Sequence, residues 1–272
     1  MKKILLFSSN GYVGGFLQER LKNEKDIQLY EMKRGWDHGQ YQTYYDILIY
    51  SAAVTSARQE TSEKYVQDNV VTAVSIVDFC KKHFVKKIIY LSSDEIYGEL
   101  NAEKVTDKAI MVNPNLYAAT KYLAEKIIIN SGIPYFILRL PGIVGRIWGR
   151  SFLYRIMDKV ECNEQVDLYN LDRRFNNILD IDDLTRFILL LCMEQRKNNE
   201  ILLLGNTEYV LLRELVFYIK DLYHSNSVIN NIDGDSRRYF TLDVTKAIEY
   251  GYRSKRVKTI INDLYKLRKN EV

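Results

Sequence analysis

The feature that most restricts this chain is the alternation, through its first half, of short apolar runs with helical stretches. Lys3–Phe7, Ile27–Met32, Tyr45–Ser51, Lys87–Ser92 and Tyr135–Leu140 read as strands, and Tyr12–Asn23, Val66–His83 and Asn115–Ser131 as the helices among them. Strands that alternate with helices predict a parallel α/β sheet covered on both faces. The stretch Gly35–Tyr44 is short and polar, which leaves little room for a full crossover helix between strands two and three. After Pro141 the pattern loosens. Ser151–Val160, Leu184–Gln195, Leu212–Tyr223 and Val257–Leu267 read as helices, Asn177–Ile181 and Ile201–Leu204 as strands, with Asp182 and Asp183 placed to cap the helix after them. The expected division is a main domain over 1–140, completed by about 176–204, and a smaller lobe made of 141–175 and 205–272.

Composition narrows the function classes. No apolar run approaches the roughly 18 residues of a membrane helix, and Ile4–Phe7 is too brief for the core of a signal peptide and leads into a glycine turn. The three cysteines, Cys80, Cys162 and Cys192, are far apart and odd in number, and the three histidines form no ligand spacing. Neither a disulfide framework nor a metal site is expected, and the cytoplasm is the natural compartment. Much of the +4 net charge falls in Arg253, Lys255, Arg256, Lys258, Lys266, Arg268 and Lys269. With no binding motif or aromatic interleaving, that run reads as a solvated terminal helix and no nucleic-acid partner is expected. A mildly basic surface also suits an anionic nucleotide substrate.

The first strand runs into Ser8-Ser9-Asn10-Gly11-Tyr12-Val13-Gly14-Gly15, and a helix follows. A helix N-terminus aims free N–H groups and a positive dipole end at a pyrophosphate, and glycine lets the backbone come close to it. Ser8 stands where a dinucleotide fingerprint has its first glycine. Glu31 lies about 20 residues on, where a carboxylate would bind an adenosine ribose and favour NAD. Lys33 and Arg34 follow at once, where cations would hold the extra phosphate of NADP. For any one of the three, a solvated strand-end charge is the alternative reading.

Tyr117 and Lys121 are four apart in a helical stretch, on one face. A free tyrosine titrates near pH 10, and roughly 4 kcal/mol of preference for phenolate, from a lysine cation and an oxidised nicotinamide, would bring it near neutrality. It could then take a proton from an alcohol or return it. Ser93 ends the preceding strand, and ligands of open parallel sheets bind beyond the carboxyl ends of strands. Its hydroxyl is placed to hold a reacting oxygen beside Tyr117, or to cap a turn. Asp94 and Glu95 follow; acid and base, or an exposed acidic loop, both suit them.

These pieces, in this order, resemble the extended short-chain dehydrogenase/reductase superfamily in its nucleotide-sugar NAD-dependent epimerase/dehydratase branch. The resemblance rests on Asn10-Gly11-Tyr12-Val13-Gly14, Ser51-Ala52-Ala53, Asn69, Leu91 to Gly98, Tyr117 to Lys121, Leu138 to Gly142 and Asn177 to Asp183. It implies a Rossmann-type doubly wound sheet with a smaller C-terminal substrate-binding lobe. It implies Tyr117 as catalytic acid/base, Lys121 holding the nicotinamide ribose and lowering the tyrosine's pKa, and Ser93 orienting the substrate oxygen. Gly11 to Val13 would face the pyrophosphate, Ala52 and Ala53 would line the cofactor channel, and Asn10, Gly14, Asn69 and Pro141 would join the cofactor site. Ser93-Asp94-Glu95 is similar to the Thr-Asp-Glu of sugar-nucleotide 4,6-dehydratases, while the short chain fits a ketosugar reductase or compact epimerase. Arg173, Arg174 and Arg237 are candidates for the substrate diphosphate, because guanidinium suits phosphate oxygens. The expected cofactor is NAD, with NADP as the alternative. The expected partner is a nucleotide sugar, and a homodimer would pair the helices before and at Tyr117. A non-catalytic dinucleotide-binding sensor or scaffold is the competing reading of the same fold.

Overall fold

Apolar runs that alternate with helices do pair side by side. The computed structural model describes residues 1–8, 10–52, 60–149, 151–195, 199–232 and 238–270. The first half runs β1 (Lys2–Phe7), α1 (Tyr12–Lys22), β2 (Ile27–Met32), β3 (Ile47–Tyr50), α2 (Ser62–Tyr65), a π-helical segment (Val66–Val71), α3 (Thr72–Lys82), β4 (Ile88–Ser93), β5 (Asn101–Val105), α4 (Leu116–Ile129) and β6 (Tyr135–Leu140). There follow β7 (Gly142–Val144), α5 (Phe152–Glu161), β8 (Val166–Leu168), β9 (Arg174–Phe175), β10 (Ile178–Asp180), α6 (Ile181–Met193), β11 (Glu200–Leu203), β12 (Val210–Leu211), α7 (Leu212–Leu222), β13 (Ile229–Asn231), β14 (Tyr239–Leu242), α8 (Thr245–Glu249) and α9 (Val257–Asn270). None of these helices is long and apolar enough to cross a membrane.

Six strands form a parallel sheet in the order β11-β6-β4-β3-β1-β2, a Rossmann-type α/β core. Successive side chains of a strand point to opposite faces. Leu5 and Phe7, Leu48 and Tyr50, Ile88 and Tyr90, and Tyr135 and Ile137 therefore share one face, and they pack in a single cluster with Ile76, Phe79 and Cys80 of α3 and Ala124 and Ile128 of α4. Their alternates, Ile4, Leu6, Ile47, Ile49, Ile89, Leu91, Phe136 and Leu138, are buried too. Burial on both faces is why these strands read as unbroken apolar runs.

Between β2 and β3 a single turn at His38–Gln40 replaces a crossover helix, as the brevity of that stretch requires. Aromatic rings cover the sheet there instead. Trp36 packs edge-on against Phe7, with centroids 5.6 Å apart, and His38 hydrogen-bonds His83 at 2.9 Å.

The expected helix Val66–His83 differs from what forms. Helix begins at Ser62, capped by Thr61, whose hydroxyl accepts the Lys64 N–H at 3.3 Å, and the register then widens through Val66–Val71. The expected cap of α6 also moves. The helix starts at Ile181, and it is the Asp180 carboxylate that accepts the N–H groups of Asp182 and Asp183, at 3.0 and 3.3 Å. A cap must precede the turn it satisfies, so Asp182 and Asp183 serve instead as first-turn acids.

The chain divides into two compact units. The first holds Met1–Ile96, Pro114–Leu140 and Leu184–Leu202; the second holds Tyr97–Asn113, Pro141–Asp183 and Leu203–Val272. The stretches 97–113 and 176–183 thus belong with the second unit rather than with the main domain expected over 1–140 and 176–204. The second unit carries short paired strands, β5 with β14, β7 with β10 and β8 with β13 in parallel and β9 with β12 antiparallel. Leu153 and Met157 of α5, Leu215 and Ile219 of α7 and Ile260 and Leu264 of α9 form its core.

Candidate active site

The glycine turn is held by the ends of three strands. The Ser8 N–H donates to the Met32 carbonyl at 3.2 Å, and the Ser51 hydroxyl to the Phe7 carbonyl at 2.9 Å. Ser8 sits at φ +71°, in the left-handed region, which explains why glycine is the usual residue there. A Cβ at Gly14 would lie 1.9 Å from the Ser8 carbonyl oxygen, so that position admits only glycine. Helix α1 begins at Tyr12 behind an extended Gly11 with no side-chain cap and no acid in its first turn. A helix N-terminus so placed directs N–H groups and a positive dipole end toward an anionic group. Asn10, Gly11 and Tyr12 are exposed and Val13 is half-buried around them. This cradle, closed to any side chain at Gly14, fits a dinucleotide pyrophosphate.

Glu31, half-buried at the end of β2, pairs with Lys22 at 3.2 Å. Lys33 is exposed, whereas the Arg34 guanidinium is bonded to the Asp68 carboxylate. Ala52 is buried just past β3, and Ala53 lies outside the described residues.

The proposed catalytic groups converge beyond β4. Ser93 closes that strand, and its hydroxyl accepts the Glu95 N–H at 3.1 Å and lies near enough to the phenol of Tyr117 to favour its ionised form. Tyr117 stands in the first turn of α4. That helix starts there because the Asn115 side chain accepts the Ala118 N–H at 2.9 Å. Its ring packs 6.2 Å from Tyr65. Burial, then the neighbouring Glu95 charge, pushes the phenol above its ordinary range, and the Ser93 hydroxyl only partly opposes them. Asp94 is buried and Glu95 half-buried, with the Asn115 amide 3.4 Å from the latter's carboxylate.

Lys121, one turn on, is fully buried. Its ammonium donates to the Leu91 carbonyl at 2.6 Å and sits 4.1 Å above the Tyr90 ring. Burial lowers it to about 7 against the opposing charge of Glu125. In this arrangement the ammonium is anchored on β4 and the phenol stays high. The lowering expected of a lysine cation together with an oxidised nicotinamide concerns the loaded site; among the chain's own groups, burial keeps the phenol high.

Asn69 sits in the π-helical segment, and such segments recur at functional sites. Its amide donates to the Thr120 hydroxyl at 3.0 Å, which donates to the Tyr117 carbonyl at 2.8 Å. Asn69 thereby braces the turn of α4 that bears the phenol. Tyr65, Asp68 and Glu125 are not singled out from the sequence, and Thr120 and Arg139 enter only inside longer motifs with no role of their own. Arg139 alone leaves a signal, as a charge inside the otherwise apolar stretch of β6. The remaining described candidates fall in the second unit. Pro141 is buried at the start of its stretch Pro141–Asp183, Arg173 lies 5.3 Å from the Tyr239 ring, Arg174 of β9 pairs with Leu211 of β12, and Arg237 is outside the described residues.

A parallel sheet with an uncapped helix end at its first turn, and a tyrosine, serine and lysine gathered beyond β4, defines a dinucleotide-binding α/β protein. The model of the NAD dependent epimerase/dehydratase family matches residues 40–205, and the chain belongs to that family. It is 26% identical over 157 residues to a dTDP-D-glucose 4,6-dehydratase of Dictyostelium discoideum, a match that covers 51% of this chain and 36% of that protein. The chain thus spans about a third of that curated relative. The fold is that of a UDP-glucuronic acid 4-epimerase from Bacillus cereus solved with UDP-glucuronic acid and NAD (TM-score 0.81, 16% identity, 99% of this chain and 100% of that one). It is equally that of RMD from Pseudomonas aeruginosa solved with NADPH (TM-score 0.80, 16% identity, 100% of each chain).

Proposed function

We propose that this chain modifies a nucleotide-linked sugar by hydride transfer at C4, with Tyr117 as the proton carrier and NAD as the cofactor. The observation that carries the reading is the placement of the buried Tyr117 phenol, in the first turn of α4 and one helical turn from Lys121, close enough to the Ser93 hydroxyl at the end of β4 for that hydroxyl to favour its ionised form. When bound, the nicotinamide dinucleotide supplies the hydride acceptor and donor, and the turn Asn10 to Gly14 with Glu31 would hold it.

The chain's own groups handle the proton. Ser93 orients the sugar oxygen toward the phenol. The neutral phenol, which burial favours, donates to that oxygen when a ketone is reduced. In the reverse direction the phenolate form of Tyr117 takes the alcohol proton, and Lys121 in its protonated form, on the same helix face, would favour that phenolate. Asp94 and Glu95 are the acid and base for an elimination, should the reaction include one. Arg173, Arg174 and Arg237 are proposed for the diphosphate.

A second copy of this chain is the proposed partner for the outer faces of α3 and α4 and the segment before α3, where Val66, Val71, Val74, Leu116 and Leu123 are exposed. The three free cysteines suit a reducing compartment, the cytoplasm.

The test is mass spectrometry of what copurifies under native conditions, followed by turnover with UDP-glucose, UDP-glucuronic acid and dTDP-glucose. Bound NAD with an altered sugar nucleotide is the expected result. Cofactor regenerated each turnover identifies an epimerase or dehydratase, and stoichiometric consumption of NADH or NADPH a reductase. Tight NAD binding with no change in any sugar nucleotide would favour a sensor and overturn the proposal.

A further inference from the structure

Arg34 is the residue that the sequence offers to a ribose phosphate, and the structure shows it bonded elsewhere. It follows β2 by two residues, and β2's last carbonyl, that of Met32, accepts the Ser8 N–H. The guanidinium therefore arises beside the glycine turn. From there it meets Asp68, in the π-helical segment before α3.

The two partners are unequal. The Asp68 side chain is 8% exposed and that of Arg34 46%, so the acid is the fixed member. Asp68 also accepts the Lys64 ammonium at 2.7 Å, one helical turn earlier. One buried carboxylate thus occupies two cations, and these outweigh the burial that would raise its pKa. Beside the pair lies a cavity of about 290 Å³ lined by Arg34, Gly35, Trp36, Gln67, Asp68 and Ser75 among others. Glu31, three residues before Arg34, presents a second carboxylate at the same strand end.

We propose that Asp68 is a cofactor-specificity residue, a latch that holds Arg34 and Lys64 and so makes the chain select NAD over NADP. The proposal rests on the dinucleotide reading above. A 2′-phosphate needs a guanidinium whose donors face it. Here it must displace a buried carboxylate to obtain one, and it meets the charges of Asp68 and Glu31 as it does so. A ribose diol carries no such demand.

The experiment compares dissociation constants for NAD and NADP by calorimetry, at one low salt concentration, for the wild type, Asp68→Asn, Arg34→Ala and the double variant. The wild type should prefer NAD. Asp68→Asn frees both cations, which should improve NADP relative to NAD by at least about tenfold, the scale of one charge-assisted hydrogen bond. The double variant should lose most of that gain. Arg34→Ala alone should leave NADP binding no weaker, because the latched guanidinium does not serve it. An unchanged ratio in folded Asp68→Asn, a gain that survives removal of Arg34, or weaker NADP binding in Arg34→Ala each overturns the latch. If Asp68→Asn does not fold, the Arg34→Ala result decides alone. A wild type that binds neither dinucleotide sinks the cofactor reading itself, a different outcome from wild-type binding without preference, which sinks only the latch.

Discussion

Glu125 lies one turn beyond Lys121 on α4 and is the charge that opposes burial of its ammonium. The carboxylate is itself gripped by Arg139 of β6, whose guanidinium donates to it at 3.1 and 2.8 Å, and all three side chains are buried. Tyr117, Lys121 and Glu125 thus run along one face of the helix at four-residue spacing. The phenol's neighbourhood is built on an ion pair two turns away.

Removing one member of a buried pair strands the other, at a cost of about 3–5 kcal/mol. Glu125→Leu should therefore lower stability by roughly that amount, and Arg139→Leu likewise. The double variant, which leaves no charge stranded, should recover most of the loss. Urea titrations of the four proteins give the coupling energy, and additive losses would show that the pair does not act as a unit.

The glycine turn makes opposite predictions at two positions. Gly14→Ala drives a methyl group into the Ser8 carbonyl, so dinucleotide binding should fall at least about tenfold and the urea midpoint with it. Ser8→Gly relieves a left-handed serine, worth up to about 1 kcal/mol, and should leave binding intact or tighter. A midpoint that drops in Ser8→Gly would mean that the Ser8 side chain holds the turn.

What could be read beforehand follows from range. The strand ends at Phe7 and Ser93, the glycine turn and the Tyr117–Lys121 spacing are local patterns, and all were legible. The π-helical register at Val66–Val71 leaves no periodic signature distinct from an α-helix over six residues. Asp68 and Asn69 acquire their partners, Arg34 and Thr120, from 34 and 51 residues away, and no local rule reports such pairs. Lys121 illustrates the same limit. Its position was legible, but the Leu91 carbonyl and Tyr90 ring that take its ammonium belong to a strand 30 residues earlier.

The exposed apolar residues of α3 and α4 predict self-association. Val74 and Leu123 are 45% and 50% exposed on neighbouring helices. Charges at both, in Val74→Glu with Leu123→Glu, should convert a dimer to a monomer in analytical ultracentrifugation while the fold persists by circular dichroism. A wild type that sediments as a monomer at high concentration contradicts the pairing.

The proton-carrying role of Tyr117 predicts a split between binding and turnover. Tyr117→Phe keeps the ring that packs on Tyr65 and removes only the hydroxyl near Ser93. Turnover of the sugar nucleotide found to copurify should fall about 10²–10⁴-fold, with the dinucleotide dissociation constant changed little. Ser93→Ala should lower turnover less, since the phenol remains. Turnover that survives Tyr117→Phe would assign the proton to another group, Asp94 or Glu95 first.

Lys121 predicts how stability depends on pH. Its folded pKa is depressed from 10.5 to about 7, so the buried ammonium is disfavoured relative to the unfolded chain. Below about pH 7 both states hold the proton and the folded state bears the full cost of burying it. Between about pH 7 and 10.5 the unfolded chain still binds a proton that the folded chain has shed, and stability rises with pH where the unfolded state binds more protons. Lys121→Met keeps a long side chain and carries no such cost. Its stability advantage over the wild type should be greatest near pH 6 and should shrink steadily as pH climbs through that window. The difference between the two urea midpoints, followed across pH, measures this with the remaining titrations cancelled. A difference that stays flat or widens from about pH 7 upward would mean that the ammonium stays charged in the fold, held by the Leu91 carbonyl, Tyr90 and Glu125 more strongly than burial opposes it.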